Sequence, residues 1–294
     1  MSTHRADHPL SHALPLFLLA GLCLSSLDAT AKWLLRDQGL LLVVWARYFG
    51  QMLVVTPFAR AAAGPGFWRT SRLSLQLTRS AFLLGATFCF FGGLAYLPLA
   101  EASAITFLAP VFVVVLSGPL LHEHANRGRW LTSISGFVGV LVVLRPGSAV
   151  FHPAALLMVG MALCNALYNL YTRKLADESP HTSLFYSALL GTVGTSAFLP
   201  FALPTAWPPL PVVALFLLLG LLAGLGHFCL INALTRAPAA MLTPFSYLQM
   251  IWATAYGYVF FGQLPDTVSF VGMAIIVGSG IALAAHEQQR WRRR

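Results

Sequence analysis

Long apolar runs alternate with short polar linkers along this chain. A transmembrane helix needs about 20 mostly apolar residues to cross roughly 30 Å of hydrocarbon. With Pro, Gly and charge as punctuation, that window gives ten segments: 14–35, 39–59, 77–97, 99–121, 130–145, 154–174, 182–203, 211–234, 239–261 and 267–285. The segments are continuous runs without the period-two alternation of strands, and open strands in lipid would leave edge N–H and C=O groups unsatisfied, so the pattern predicts helices. Linkers such as "ARAAAGPGFWRTSRLS", "HEHANRGR", "RPGSAVFHP", "ADESPHT" and "PTAWPPLP" leave no room for a separate folded domain. The prediction is an all-α membrane protein of ten transmembrane helices whose function lies within the bilayer.

Composition supports that solvent. Hydrophobic residues make up 57% of the 294 and charged residues only 9%, against roughly 25% charged in soluble domains. Too few polar residues exist to cover a water-facing exterior. The net charge of +9 would suggest nucleic acid on a soluble protein, but its placement explains it otherwise. With a cytoplasmic N-terminus, 14 of the 18 Lys and Arg fall on the inner side, as the positive-inside rule requires. Both termini are therefore expected in the cytoplasm, in an inner-membrane, multi-pass protein with no nucleic-acid partner. A cleavable signal peptide is the rival reading of "LPLFLLAGLCLSSLDATA"; the repeat described next requires that segment as a helix.

The ten segments divide five and five, the sixth starting about 140 residues after the first. Two units of odd span number must face opposite ways, which makes an inverted repeat. The expected organisation is an N-terminal tail, 1–13; a first five-helix repeat, 14–146; a second, 147–286; and a basic tail, 287–294. "AYLPLAEASAITF", from Ala95, can be laid on "ALTRAPAAMLTPF", from Ala233, and Glu123 then falls opposite Gln263. On these residues the chain resembles the drug/metabolite transporter superfamily, specifically the ten-helix EamA-type exporters, and among them the bacterial aromatic amino-acid exporters. Gln263 departs from the glutamate usual at that position. The resemblance implies a secondary-active exporter of amino acids or similar small amphipathic metabolites, with export of drugs or nucleosides as the alternative. It further implies alternating access through a central cavity lined by helices three, four, eight and nine, with helices one and six contributing.

Ionisable groups at membrane depth are costly, about 2.5–3.5 kcal/mol each on insertion scales, so each is a functional candidate. Asp28 in the first segment and Arg47 in the second lie roughly 10–12 Å below the outer surface at 1.5 Å per residue. They are placed to pair, and Lys32 stands one turn from Asp28. The trio is expected either to staple helices one and two or to couple and gate transport at the outer cavity. Mid-membrane polar residues Asn165, Asn169, His227, Ser246 and Gln249, with Tyr96, Tyr168, Tyr247 and Trp252, are the expected substrate-binding set. Such groups also serve as hydrogen bonds between helices, and aromatic rings also stack on apolar substrates. Pro110 and Pro244 are expected kinks in helices four and nine.

Other classes are disfavoured. No G-x4-G-K-[ST] motif is present, so ATP hydrolysis is unsupported. A lipid-modifying enzyme would cluster His, Asp or Ser at one interface, whereas this chain scatters them. No catalytic residues, metal site or cofactor are expected. His122 and His124 lack further ligands at metal spacing, and Cys23, Cys89, Cys164 and Cys229 sit one per apolar segment. The expected partners are a small-molecule substrate and the lipid bilayer, with the protein a monomer or weak dimer.

Overall fold

An α-helix lies at each of the ten predicted segments. The computed structural model describes residues 9–121, 127–148, 151–202, 208–236, 242 and 245–292. The helices are α1 (Pro9–Leu34), α2 (Leu40–Ala63), α3 (Leu73–Leu94), α4 (Leu99–Thr106), α5 (Ala109–Leu121), α6 (Arg127–Leu144), α7 (Ala155–Lys174), α8 (Pro180–Ser196), α9 (Leu210–Arg236), α10 (Leu248–Phe261) and α11 (Thr267–Arg292). No strand occurs among the described residues. Six helical stretches are long and apolar enough to cross a bilayer: Ala13–Leu34, Leu40–Ala63, Leu73–Leu94, Leu99–Leu120, Ala155–Lys174 and Leu210–Ala233. Large apolar side chains such as Leu131, Leu156, Ile251 and Val259 stand exposed on the outside, as they do when lipid is the solvent.

The fourth segment is not one bent helix, because Pro110 breaks it. Proline has no N–H to donate and its ring collides with the carbonyl four residues back. That carbonyl belongs to Thr106, the last residue of α4; Phe107 and Leu108 form a turn, and Pro110 sits in the first turn of α5, where proline is tolerated. The ninth segment is interrupted at a comparable place, with Tyr247 in a turn just before α10. Pro244, Glu123, His122 and His124 lie outside the described residues.

Helix pairing repeats between the halves. α1 packs on α9 as α3 packs on α7; α2 packs on α9 as α3 packs on α8; and α1 packs on α10 as α7 packs on α4 and α5. α2 with α8, α4 with α10 and α6 with α11 pair each with its own counterpart. Exchanging the halves therefore leaves these pairings unchanged, which is what two copies of one five-segment unit produce.

Small residues set the closest approach. A Cβ on Gly50 of α2 would stand 2.7 Å from the Gly220 Cα of α9, and one on Gly224 would stand 2.8 Å from Val54. Backbone contact of this kind replaces the missing hydrophobic drive between helices in lipid. Against this frame Tyr48, fully buried, fits its ring into the notch at Gly191 of α8.

Candidate functional site

The expected charged trio does not form an ion-paired cluster. Lys32, 8% exposed, turns from Asp28: its Nζ donates to the carbonyl oxygens of Leu94 (3.1 Å) and Leu97 (2.5 Å) at the end of α3 and lies 5.5 Å from the Phe261 ring of α10. The carbonyls beyond α3 have no further helical turn to pair with, so they are free to take the ammonium. Lys32 thus ties α1 to the α3–α4 connection. Arg36 sits over the same Phe261 ring at 4.9 Å.

Asp28 and Arg47 also fail to pair within 4.0 Å, although Arg47 is the charge that acts on Asp28. Arg47, 5% exposed, lies over the Tyr48 ring at 4.5 Å, makes no hydrogen bond among the described residues, and has its Nη1 walled off from solvent. One turn along α2, Gln51 is 1% exposed, and neither its Nε2 nor its Oε1 finds a partner. Buried donors and acceptors left unmade cost about 1–3 kcal/mol each. Three such atoms on one helix face are an exception that asks for a reason.

Asp28 and His227 are each half-buried, and the Arg47 charge acts on both. His227 Nδ1 lies 2.9 Å from the carbonyl oxygen of Ala223, one turn earlier. Nearby, the Ser26 and Tyr256 hydroxyls meet at 2.8 Å, joining α1 to α10. A cavity of about 210 Å³ opens between α1, α9 and the start of α10, walled by Phe17, Gly21, Leu24, Leu230, Ser246, Gln249 and Trp252 among others.

The remaining expected residues are dispersed. Tyr96 is exposed beyond α3 and stacks on His152, with centroids 5.3 Å apart. Asn169 is exposed on α7 and Asn165 half-buried. The Tyr168 hydroxyl accepts from Arg79 Nη2 at 2.7 Å. Tyr247 stacks on Phe107. Gln249, Ser246 and Trp252 share the cavity, and the Arg47 charge acts on both Asp28 and His227.

Sequence reasoning missed Arg79 and Gln51. Arg79, counted among the inner-side positive charges, is 3% exposed; its Nε donates to Thr172 Oγ1 (2.7 Å) and its Nη1 to the Ser183 carbonyl oxygen and Ser187 Oγ (both 3.0 Å). Gln51 carried a signal: a polar residue one turn after Arg47 in an otherwise apolar run. At one end of the bundle Arg145 holds Asp266 in an ion pair at 2.6 Å, and Ser269 bonds to Glu101. The bonds from Arg145 and from the Ser269 backbone N–H hold the Asp266 carboxyl down at about 2.

An apolar exterior and a two-copy helical fold are those of a multi-pass membrane protein. The EamA-like transporter family profile matches residues 12–145 and again 152–285, and the chain belongs to that family. It is 28% identical to the S-adenosylmethionine uptake transporter of Rickettsia bellii, over 93% of both chains. It is 30% identical to the riboflavin transporter of Rhizobium johnstonii, over 94% of this chain and 92% of that one, and 29% identical to the riboflavin transporter of Vibrio cholerae over 97% of both. One solved crystal structure shares the fold, with a TM-score of 0.69 at 21% identity, covering 93% of this chain and 97% of the other.

Proposed function

We propose that this protein is a secondary-active carrier of a small amphipathic metabolite, working by alternating access across the inner membrane. The single observation that carries the reading is a set of buried or half-buried ionisable groups, Asp28, Arg47 and His227, within apolar helices whose outside is apolar too. In a membrane protein a polar interior marks a substrate or ion path. Ten spans in two inverted five-helix units, with both termini in the cytoplasm, fit the pairing symmetry and the distribution of Lys and Arg. In this reading His227, Gln249, Ser246 and Trp252 contact substrate, Asp28 and Arg47 line its path, and Lys32 closes one end.

The relatives move the substrate from free amino acids, exported, toward S-adenosylmethionine, which one relative takes up, or riboflavin. Both ligands carry a flat heterocycle, and the cavity beside Trp252 suits stacking of such a ring. The deciding experiment reconstitutes the purified protein in liposomes. Flux of labelled S-adenosylmethionine, riboflavin and a panel of amino acids is followed in both directions, with and without a pH gradient. Flux of one of them that is saturable and competed by unlabelled ligand is expected; flux of none overturns the carrier reading.

A further inference from the structure

Resting on the carrier reading, we infer that the cavity between α1, α9 and α10 holds a neutral flat heterocycle with a hydrogen-bond donor and an acceptor side by side on one edge, read by the Gln249 carboxamide. Gln249 lies in the first turn of α10 and lines the cavity of about 210 Å³. Its side chain reaches toward α1, with Cγ 3.7 Å from where a Cβ on Gly21 would stand. Neither of its polar atoms is hydrogen-bonded among the described residues, and neither is sealed from solvent as those of Gln51 are. A carboxamide at membrane depth ordinarily serves as glue between helices. This one bonds to no neighbouring helix among the described residues, so its donor and its acceptor are left for the group that fills the cavity.

The lining fixes the kind of group. None of the described residues that line the cavity carries a charge, and an ion without a partner in such surroundings would bear the full cost of its lost hydration. The occupant is therefore neutral. Trp252 stands three residues after Gln249, a spacing that makes the two side chains neighbours on α10. Phe17, Gly21 and Leu24 form the facing wall from α1, spaced i, i+4 and i+7 along one stripe. An indole and an apolar stripe suit the faces of a flat ring. Drug-sized pockets run to roughly 300–1,000 Å³, so this smaller cavity takes a single ring system and not a whole metabolite. A primary carboxamide presents N–H and C=O in one plane. Its match is a lactam, an imide or an aminopyrimidine edge, as when glutamine pairs with the edge of adenine through two hydrogen bonds. An indole, with one N–H and no acceptor, satisfies only half of the carboxamide.

The test is equilibrium binding to the full chain in lipid nanodiscs with two neutral ring probes: lumiflavin, which has an imide edge, and labelled adenosine, which has an aminopyrimidine edge. Each is paired with an analogue whose edge donor is blocked, lumiflavin methylated on its imide nitrogen and adenosine dimethylated on its exocyclic amine. At least one ring is expected to bind saturably, and its blocked analogue to bind roughly 5- to 150-fold more weakly. That range is the 1–3 kcal/mol cost of a buried partner left unmade, about 1.4 kcal/mol being tenfold. Gln249→Leu and the near-isosteric Gln249→Met remove the carboxamide and keep the helix apolar, so in either variant that folds the ring and its blocked analogue should bind alike. This comparison separates the lost bond from the added bulk of a methyl group. Binding of neither ring, equal binding of ring and blocked ring to the unmodified protein, or a preference that survives in the variants overturns the inference. Saturable flux in liposomes with no edge selectivity in binding sinks the inference alone, whereas edge-selective binding without flux sinks the carrier reading, so the two failures are separable.

Discussion

The ring of Tyr247 stacks on that of Phe107, centroids 5.0 Å apart and planes 20° from parallel. Each residue sits where its half of the chain interrupts a helix: Phe107 in the turn between α4 and α5, Tyr247 in the turn before α10. The two breaks meet across the interface between the halves, and Tyr247 is further wedged against α11, where its phenol fills the space that a side chain on Gly280 would need. Gly280→Val should destabilise the protein by about 1–3 kcal/mol through overpacking. Tyr247→Ala in the same chain should recover part of that loss, because the two positions share one space. Thermal unfolding of the two single variants and the double variant in detergent measures the coupling, and simple additivity would refute the contact.

The crossing of α2 and α9 gives a sharper contrast. A Cβ at Gly220 would run into the Gly50 backbone, whereas one at Gly39 meets nothing within 4 Å. Backbone cannot step aside as a side chain does. Gly220→Ala is expected to lower the melting temperature by several degrees, from about 1–3 kcal/mol of overpacking, while Gly39→Ala should leave it unchanged or raise it slightly through reduced unfolded-state entropy.

Lys32 offers a test of the tie between α1 and the α3–α4 connection. Lys32→Met fills the same volume and removes both bonds to the Leu94 and Leu97 carbonyls. Hydrogen bonds to charged groups contribute about 1.5–3 kcal/mol, and some of that is offset by no longer burying an ammonium. A loss of about 1–2 kcal/mol is expected on that balance. Lys32→Gln, which keeps a donor, should fall between Lys32→Met and the unmodified protein in thermal unfolding. If Gln and Met behave alike, the carbonyl contacts contribute nothing.

Acid should act on the Arg145–Asp266 pair. The Asp266 carboxyl is held down at about 2, chiefly by its bond from Arg145, against 3.8 when free. A group whose folded value is depressed contributes stability that is present above its unfolded value and lost as pH falls through the folded one. The contribution of this pair is therefore constant from neutral pH down to about 4 and fades between about 4 and 2. Thermal unfolding of Asp266→Asn against the unmodified protein should give a difference that is flat above pH 5 and shrinks below pH 4. A difference that changes between pH 5 and 8 would assign the effect to another group.

The segments were legible because apolar run length and the proline and glycine punctuation are local properties. Even the Pro110 break follows from the ring and the Thr106 carbonyl; what sequence left out was that a helix restarts at Ala109 instead of bending. The interior polar groups were only half legible. Asp28, Arg47 and His227 announce themselves as costly residues in apolar runs, but the partner of Lys32 is a pair of backbone carbonyls, and carbonyls carry no sequence signal. Arg79 was misjudged for a related reason. Its partners are hydroxyls and a carbonyl on α7 and α8, and proximity to the end of an apolar segment made it look like an interfacial charge.

Arg79 also separates two roles for Tyr168. The phenol accepts from Arg79 Nη2 at 2.7 Å, and the guanidinium lies 4.5 Å from the ring, so both the edge and the face of Tyr168 are engaged. Arg79 spans α3, α7 and α8 with no carboxylate among its partners, whereas the Thr172 and Ser187 hydroxyls each keep a second bond to a carbonyl. Removing the guanidinium therefore orphans little apart from the phenol. Arg79→Ala should cost about 1–3 kcal/mol, less than breaking a buried ion pair, because no opposite charge is left behind. Arg79→Lys should recover only part of this, since one ammonium cannot reproduce the planar fork across three helices. Tyr168→Phe should lower stability by about 1 kcal/mol and leave substrate affinity within about twofold, less than one hydrogen bond is worth. A large loss of affinity at unchanged stability would put the phenol in the substrate path and not in the staple.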